Sequence, residues 1–157
     1  MAKAVIGIRL AGIDTALAQL NREIRRIKRV SKKALIRAGF LIKREAQSKT
    51  PVMTGNLKSS AFVTWGGKGI PHGAPSFKGK DAGKMASEHL SVVAGETARA
   101  KTYNAVEVGY TAYYAIFVHE NLTVHHKSGE AKFLENAIRE NKDRIVELIV
   151  LQDKKEV

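Results

Sequence analysis

The chain has 157 residues, no cysteine and a formal net charge of +12. A domain of this length buries about 68–70% of the surface that its unfolded chain exposes, so we expect one domain over residues 1–157, with a real core and without disulfides or thiolate chemistry. No apolar run approaches the roughly 20 residues of a membrane span, and the first ten residues do not read as a secretory signal. We therefore expect a soluble protein made in the cytoplasm, with no membrane partner.

The positive charge is concentrated in one part of the sequence. Between Arg22 and Lys49 there are eleven Lys or Arg and two Glu, a net of +9, whereas from Thr50 onwards fourteen bases face twelve acids. Such a basic face favours a polyanion, an acidic protein surface or the wall of a charged channel as partner, and the alternative is a solvated helix face. The candidate contact residues are Arg22, Arg25, Arg26, Lys28, Arg29, Lys32 and Lys33.

Periodicity predicts the first elements. Alternation over residues 4–10 predicts a short strand, and apolar residues spaced by three and four predict a helix over residues 15–49, capped by Asp14. At 1.5 Å per residue this helix is roughly 50 Å long, too long to pack entirely on a small sheet. We therefore expect a kink near Val30 or Gly39, or an apolar stripe that contacts another subunit.

The segment T-P-V-M-T-G-N-L at residues 50–57 predicts the end of this helix. Pro51 lacks a backbone donor and disfavours the helical conformation at Thr50, while Gly55 can adopt a left-handed turn conformation. The predicted turn residues are Pro51, Thr54, Gly55 and Leu57. Alternation then predicts a strand over residues 57–65, where Phe62 on the polar side indicates that both faces are partly covered.

The remaining pattern completes an α+β fold. We expect a flexible glycine-rich loop over 66–85, strands over 90–94 and 104–110, a helix over 130–151 capped by Ser128, and a frayed polar tail over 152–157. The predicted architecture is a long N-terminal helix and a C-terminal helix packed on a small antiparallel sheet of three or so strands.

A cluster of histidines is the strongest candidate for chemistry. His119, Glu120, His125 and His126 fall within eight residues and suggest a metal-dependent nuclease, but the spacing is not that of a helical H-E-x-x-H pair. We favour the alternative that these are polar residues on a segment packed against a neighbour. With no phosphate-binding loop or catalytic triad in the sequence, we expect no catalytic site, no metal and no cofactor.

Three segments in order carry a resemblance to a known family. They are T-P-V-M-T-G-N-L at 50–57, V-E-V-G-Y at 106–110 running into Y-A-I-F-V-H-E at 114–120, and F-L-E-N-A at 133–137. Together they resemble the tail-completion proteins, also called minor tail or neck proteins, of long-tailed bacteriophages and prophages. The similarity covers most of residues 14–141. It departs at 119–121, where H-E-N stands in place of the acidic residue and glycine that many members carry.

The resemblance implies a structural virion protein without catalysis. Such proteins form a ring, commonly six-fold, at the head–tail junction or the top of the tail. The ring joins the connector to the tail terminator or tube and lets DNA pass, after assembly in the host cytoplasm. The candidate subunit or partner interface residues are Tyr113, Tyr114, Phe117, His119 and Glu120.

Alternatives remain for the location of the aromatic residues and for the function of the protein. The domain core is the alternative location for the three aromatic candidates, and for Phe117 it is the favoured one. A small basic nucleic-acid-binding protein acting alone is the second functional hypothesis, and the metal-dependent nuclease is the least favoured.

Overall fold

The computed structural model describes residues 13–66, 75–103 and 105–155, so the predicted strand over 4–10 lies outside the described residues. Within these ranges the chain forms six helices and two strands. In chain order they are α1 (Ile13–Lys49), α2 (Asn56–Ser59), β1 (Ala61–Trp65), α3 (Ala82–Tyr103), β2 (Val106–Tyr110), α4 (Ala115–Glu120), α5 (Phe133–Glu140) and α6 (Lys142–Lys155). The α+β class and the long N-terminal helix are therefore confirmed.

The two strands form an antiparallel sheet that is covered on both faces. Ala61 pairs with Tyr110 and Trp65 with Val106. One face packs on α1 at Gly39, where an added Cβ would lie 2.9 Å from a methyl group of Val106. The other face packs on α3. Phe62 and Thr64 are both buried, which confirms that neither face of β1 is open to solvent.

Helix α1 is continuous, and its two halves differ in burial. Its C-terminal half packs between the sheet on one side and α5 and α6 on the other, burying Ala34, Ala38, Leu41 and Ala46. In its N-terminal half the apolar side chains of Leu17, Leu20 and Ile24 are exposed, with 56% of Leu20 accessible. The helix is too long to pack entirely on the core, as expected, and the part that does not pack is its first half.

The predicted strand over 57–65 begins too early. Gly55 is followed by the short helix α2, in which the Ser59 amide donates to the Gly55 carbonyl at 2.9 Å. The strand begins at Ala61. The left-handed Gly55 starts a short helical turn, and the alternation of apolar residues does not reveal such a turn.

The predicted strand over 90–94 is wrong, because these residues lie in α3. The side chains that α3 buries, Met85, Val93 and Ala100, recur at helical spacing. Helix α3 begins at Ala82, so the predicted loop over 66–85 ends earlier than expected, and residues 67–74 lie outside the described ranges. Among the described residues the sheet has two strands rather than three.

The predicted C-terminal helix over 130–151 is two helices that meet at Asn141. The side-chain Nδ2 of Asn141 donates to the Ala137 carbonyl at 2.9 Å, so the side chain competes with the backbone hydrogen bonds that would continue the helix. Ser128 is not the cap, since α5 begins after Lys132. Helix α6 runs to Lys155, beyond the start of the predicted frayed tail.

Candidate functional site

Residues 51–57 of the T-P-V-M-T-G-N-L segment form one wall of an open groove of about 960 Å³ at the C-terminal end of α1. The other walls come from residues 78–81, from Tyr113, Tyr114 and Val118, and from residues 125–128. Beneath the groove, Leu57 and Phe133 belong to one buried cluster, and the Tyr110 and Phe133 ring centroids are 4.9 Å apart. The fold therefore joins the three sequence segments in one place.

A chain of hydrogen bonds fixes the start of this turn. The Thr50 hydroxyl is buried and lies 2.7 Å from both the Ala46 carbonyl and the Tyr110 hydroxyl. Burial raises the pKa of Tyr110 to about 12, so its phenol is protonated at neutral pH and can donate to Thr50. Thr50 then donates to Ala46. The sequence did not indicate this contact, which spans sixty residues.

The turn itself has the predicted left-handed glycine, with φ 85° at Gly55. The Thr54 hydroxyl accepts a hydrogen bond from the Asn56 amide at 3.3 Å, and Leu57 is buried in the core. The Asn56 side chain donates to the Lys78 carbonyl at 2.9 Å and accepts from the Lys78 amide at 2.8 Å. Asn56 thereby ties the turn to the far wall of the groove, a role that sequence reasoning missed.

A later segment of the chain, at Gly129 and Glu130, crosses the end of α1 and fixes it. Gly129 has φ 79°, and a Cβ there would lie 2.5 Å from the Pro51 nitrogen, so only glycine fits without a shift. The next residue, Glu130, donates its amide to the Lys49 carbonyl at 2.8 Å. The Lys49 ammonium also lies 3.1 Å from the Glu130 carboxylate and 2.8 Å from Glu140. Hydrogen bonds to Glu140 and Glu130 raise the pKa of Lys49.

The aromatic candidates separate into exposed and half-buried residues. Tyr113 is 69% exposed on the groove, whereas Tyr114 packs against the core cluster. Phe117 is 73% exposed, so the favoured expectation that it lies in the core is wrong. On the short helix α4, Ala115 and Val118 face the core and Phe117 falls on the other side.

His119 and Glu120 hold α4 against the start of α5. The His119 Nδ1 lies 2.7 Å from a Glu120 carboxylate oxygen, and its ring packs edge-on against Phe133. Glu120 also pairs with Lys132, and the hydrogen bonds from Lys132 and His119 lower the pKa of the Glu120 carboxyl. The His119 carbonyl accepts from the Lys132 amide at 2.7 Å. These contacts have a structural role.

The histidines do not form a metal centre in the part of the chain that the structure describes. His125 and His126 line the groove. In the described ranges, no group of three or more His, Cys, Asp or Glu is placed to hold a metal ion.

The predicted basic residues lie on the N-terminal half of α1, apart from the groove. Arg22, Arg25 and Lys28 are exposed, whereas Lys32 is half-buried. Arg26 pairs with Glu23 one turn earlier, and its hydrogen bond lowers the pKa of the Glu23 carboxyl. The structure therefore keeps the basic set and the turn at opposite ends of one helix.

No family model matches the chain, and neither characterised proteins nor solved structures give a significant match. Of the helices in the described ranges, none is both long and apolar enough to cross a membrane.

Proposed function

We propose that this protein is a ring-forming structural subunit of the neck of a long-tailed bacteriophage. It would act at the head–tail junction or the top of the tail, joining the connector to the tail terminator or tube. The ordered sequence segments support this proposal, because the fold joins them around one groove. The exposed basic residues on α1 support a further part of the proposal, which is contact with passing DNA or with an acidic neighbouring ring.

The observation that carries the proposal is a pair of exposed apolar surfaces at opposite ends of α1. The α1 stripe consists of Leu17, Leu20 and Ile24, which share one helix face. The groove rim consists of Val52, Met53 and Tyr113, and Met53 is 98% exposed. Roughly 40 Å of helix separates the stripe from the rim.

Two different surfaces of this kind suit head-to-tail association. If the stripe of one subunit packs on the rim of the next, every subunit uses both surfaces, and the contact is heterologous. Such contacts close into a ring when the rotation between subunits allows it. Methionine and tyrosine are enriched at interfaces, and the rim supplies both.

Assembly is testable with two variants that each remove one surface. The stripe variant carries Leu20→Glu and Ile24→Glu, and the rim variant carries Met53→Glu and Tyr113→Glu. All four positions are exposed in the described structure, so the subunit should still fold. Analytical ultracentrifugation over a range of concentrations, followed by negative-stain imaging, should show rings for the wild type and monomers for each variant.

Mixing the two variants tests which surfaces pair. The intact rim of the stripe variant and the intact stripe of the rim variant should form a one-to-one dimer that cannot grow. A wild-type protein that stays monomeric or dimeric at every concentration would contradict the ring. Two variants that fail to associate when mixed would contradict stripe-to-rim pairing.

The concentrated basic charge keeps a second candidate open, a nucleic-acid-binding protein that acts alone. It predicts a monomer or dimer whose DNA affinity falls steeply with salt. The same sedimentation experiment, run with and without a DNA duplex, separates the two candidates, because only the neck proposal requires rings in the absence of DNA.

A further inference from the structure

The two-stranded sheet has an open edge at β2. The other edge of β2 pairs with β1, and the two faces of the sheet pack on α1 and α3. Along an unbroken antiparallel ladder, successive residues direct their backbone groups alternately towards the partner strand and away from it. The Thr111 amide donates to the Ser60 carbonyl at 3.1 Å. Counting back from Thr111 in steps of two gives the residues that bond to β1, so the amides and carbonyls of Val106 and Val108 point away from it.

We call the backbone of Val106 and Val108 the β2 edge. Its amides and carbonyls have no hydrogen-bond partner among the described residues. Both residues are half-buried, and their side chains face α1, where a Cβ on Gly39 would lie 2.9 and 3.6 Å from their methyl groups. The opposite edge of the sheet is closed, since Val63 and Thr64 of β1 are completely buried. An unpaired strand edge of this kind is a template for another strand.

Residues 4–10 have the sequence of a strand that would fit the β2 edge. They lie outside the described residues, and their sequence alternates, with Ile6, Ile8 and Leu10 on one face. Beside β2, these apolar side chains would continue the surface that Val106 and Val108 turn towards α1. The match is therefore one of side-chain pattern as well as of backbone hydrogen bonding.

The segment cannot reach the β2 edge of its own subunit. Val106 packs beside Gly39, and α1 is continuous from Ile13. At 1.5 Å per residue, the helix from Ile13 to Gly39 is about 39 Å long. A fully extended chain spans at most about 3.6 Å per residue, so residue 4 lies no more than about 32 Å from Ile13. Any pairing between this segment and β2 must therefore join two subunits.

We propose that residues 4–10 of one subunit add a strand to the β2 edge of the next subunit. The contact between the α1 stripe and the groove rim brings the two within reach. Residues 4–10 precede the stripe, which begins at Leu17, and β2 ends at Tyr110, close in sequence to Tyr113 of the rim. This inference deepens the proposed function and rests on it for the ring, whereas the strand pairing itself does not require a closed ring.

The first test measures binding of the segment as a separate peptide. A fluorescent peptide of residues 1–12 is titrated with the full-length stripe variant, which carries Leu20→Glu and Ile24→Glu, and anisotropy is recorded. A peptide with Gly7→Pro and Ile8→Pro should bind at least about tenfold more weakly than the natural sequence. Two consecutive prolines remove a donor that faces β2 whichever way the added strand runs.

The matched control peptide carries Gly7→Ala and Ile8→Val. It keeps both amide donors and the apolar pattern, so it should bind like the natural sequence. No binding of the natural peptide, or equal binding of the natural and the double-proline peptides, would overturn the proposal.

Hydrogen exchange measured by NMR locates the bound peptide on the same full-length variant. Without peptide, the Val106 and Val108 amides should exchange faster than the Gly109 amide, which bonds to β1. At saturating peptide, the Val108 amide should exchange at least about tenfold more slowly, because it then donates to the added strand. A bound peptide that leaves Val106 and Val108 unchanged lies elsewhere and would also overturn the proposal.

Assembly of the full-length chain distinguishes failure of this inference from failure of the ring. The chain with Gly7→Pro and Ile8→Pro keeps the stripe and the rim, so sedimentation should show rings only at about tenfold higher concentration than for the wild type. Wild-type rings in which Val108 is unprotected would contradict strand addition and leave the ring proposal standing. A wild type that forms no ring but binds the peptide at Val108 would contradict the ring and support strand addition.

Discussion

Single residues at the C-terminal end of α1 determine how the groove is built. Thr50 connects the helix to Tyr110, Asn56 connects the turn to Lys78, and Gly129 lets a later segment cross the helix end. Each of these contacts joins parts of the chain that are distant in sequence. The groove therefore depends on a few positions that a substitution can test one at a time.

The sharpest of these tests is Gly129→Ala. The positive φ of Gly129 costs a residue with a Cβ about 1–3 kcal/mol, and its Cβ would also meet backbone atoms at 2.5–2.6 Å. We therefore expect the free energy of unfolding to fall by more than about 2 kcal/mol, measured by chemical denaturation.

Gly83→Ala is the matched control. Gly83 lies in α3 with ordinary backbone angles, and an added Cβ there meets nothing within 4 Å. Alanine favours the helix by about 0.5–1 kcal/mol relative to glycine, so this variant should be unchanged or more stable. Similar destabilisation of both variants would contradict the tight crossing at Gly129.

At the scale of elements, α1 is one helix with two environments. Residues 34–49 bury one face against the sheet, α5 and α6, whereas residues 17–25 are exposed throughout. Most of a helix's stability in a protein comes from packing of an amphipathic face. The first half of α1 should therefore open far more easily than the second in an isolated subunit.

Hydrogen exchange measures this difference directly. In a dilute monomeric sample, backbone amides of residues 20–30 should exchange much faster than those of residues 38–49. At concentrations where subunits associate, protection of residues 20–30 should rise, since the α1 stripe is then covered. Uniform protection along α1 in the monomer would contradict the division into two environments.

Helix α3 shows why some elements could not be predicted from the sequence. Val92 and Val93 are β-branched and favour a strand locally. In the structure Val93 is buried against the core while Leu90 and Val92 are exposed, a pattern that belongs to a helix face. Which of these residues is covered depends on the sheet beneath them, and that sheet is made from other parts of the chain.

At the scale of the whole molecule, Lys49 joins three segments through Glu130 and Glu140. Hydrogen bonds from Asn136 and Lys49 lower the pKa of Glu130 below its ordinary 4.5 in the folded state. Its contribution to stability is therefore complete above pH 4.5 and is lost as the pH falls below that value. The pKa of Lys49 is raised instead, so its contribution to stability is complete below pH 10.5 and is lost only as the pH rises past that value.

Lys49→Met should therefore lower the free energy of unfolding in a pH-dependent way. At neutral pH we expect a loss of up to about 1 kcal/mol, because the carboxylates are partly exposed. Denaturant titrations should show this difference from the wild type shrinking as the pH falls below 4.5. Lys84→Met, which removes an exposed lysine 3.7 Å from Glu88, is the control and should have a smaller effect. A difference for Lys49→Met that does not change with pH would contradict the ion-pair explanation.

Features that depend on local chemistry could be predicted from the sequence. Helical periodicity and the missing donor of Pro51 predicted α1 and its end, the freedom of Gly55 predicted the left-handed turn, and alternation predicted β2. The concentration of charge and the excess length of α1 were equally visible. These properties belong to residues and their near neighbours, so no knowledge of the fold was required.

Which side chains meet depends on the three-dimensional fold. The fold exposed Phe117, buried Asn56, and placed the Thr50 hydroxyl against Tyr110. It also divided the C-terminal helix at Asn141. The physical reason is that burial and pairing depend on neighbours from distant segments, and periodicity within one segment carries no information about them.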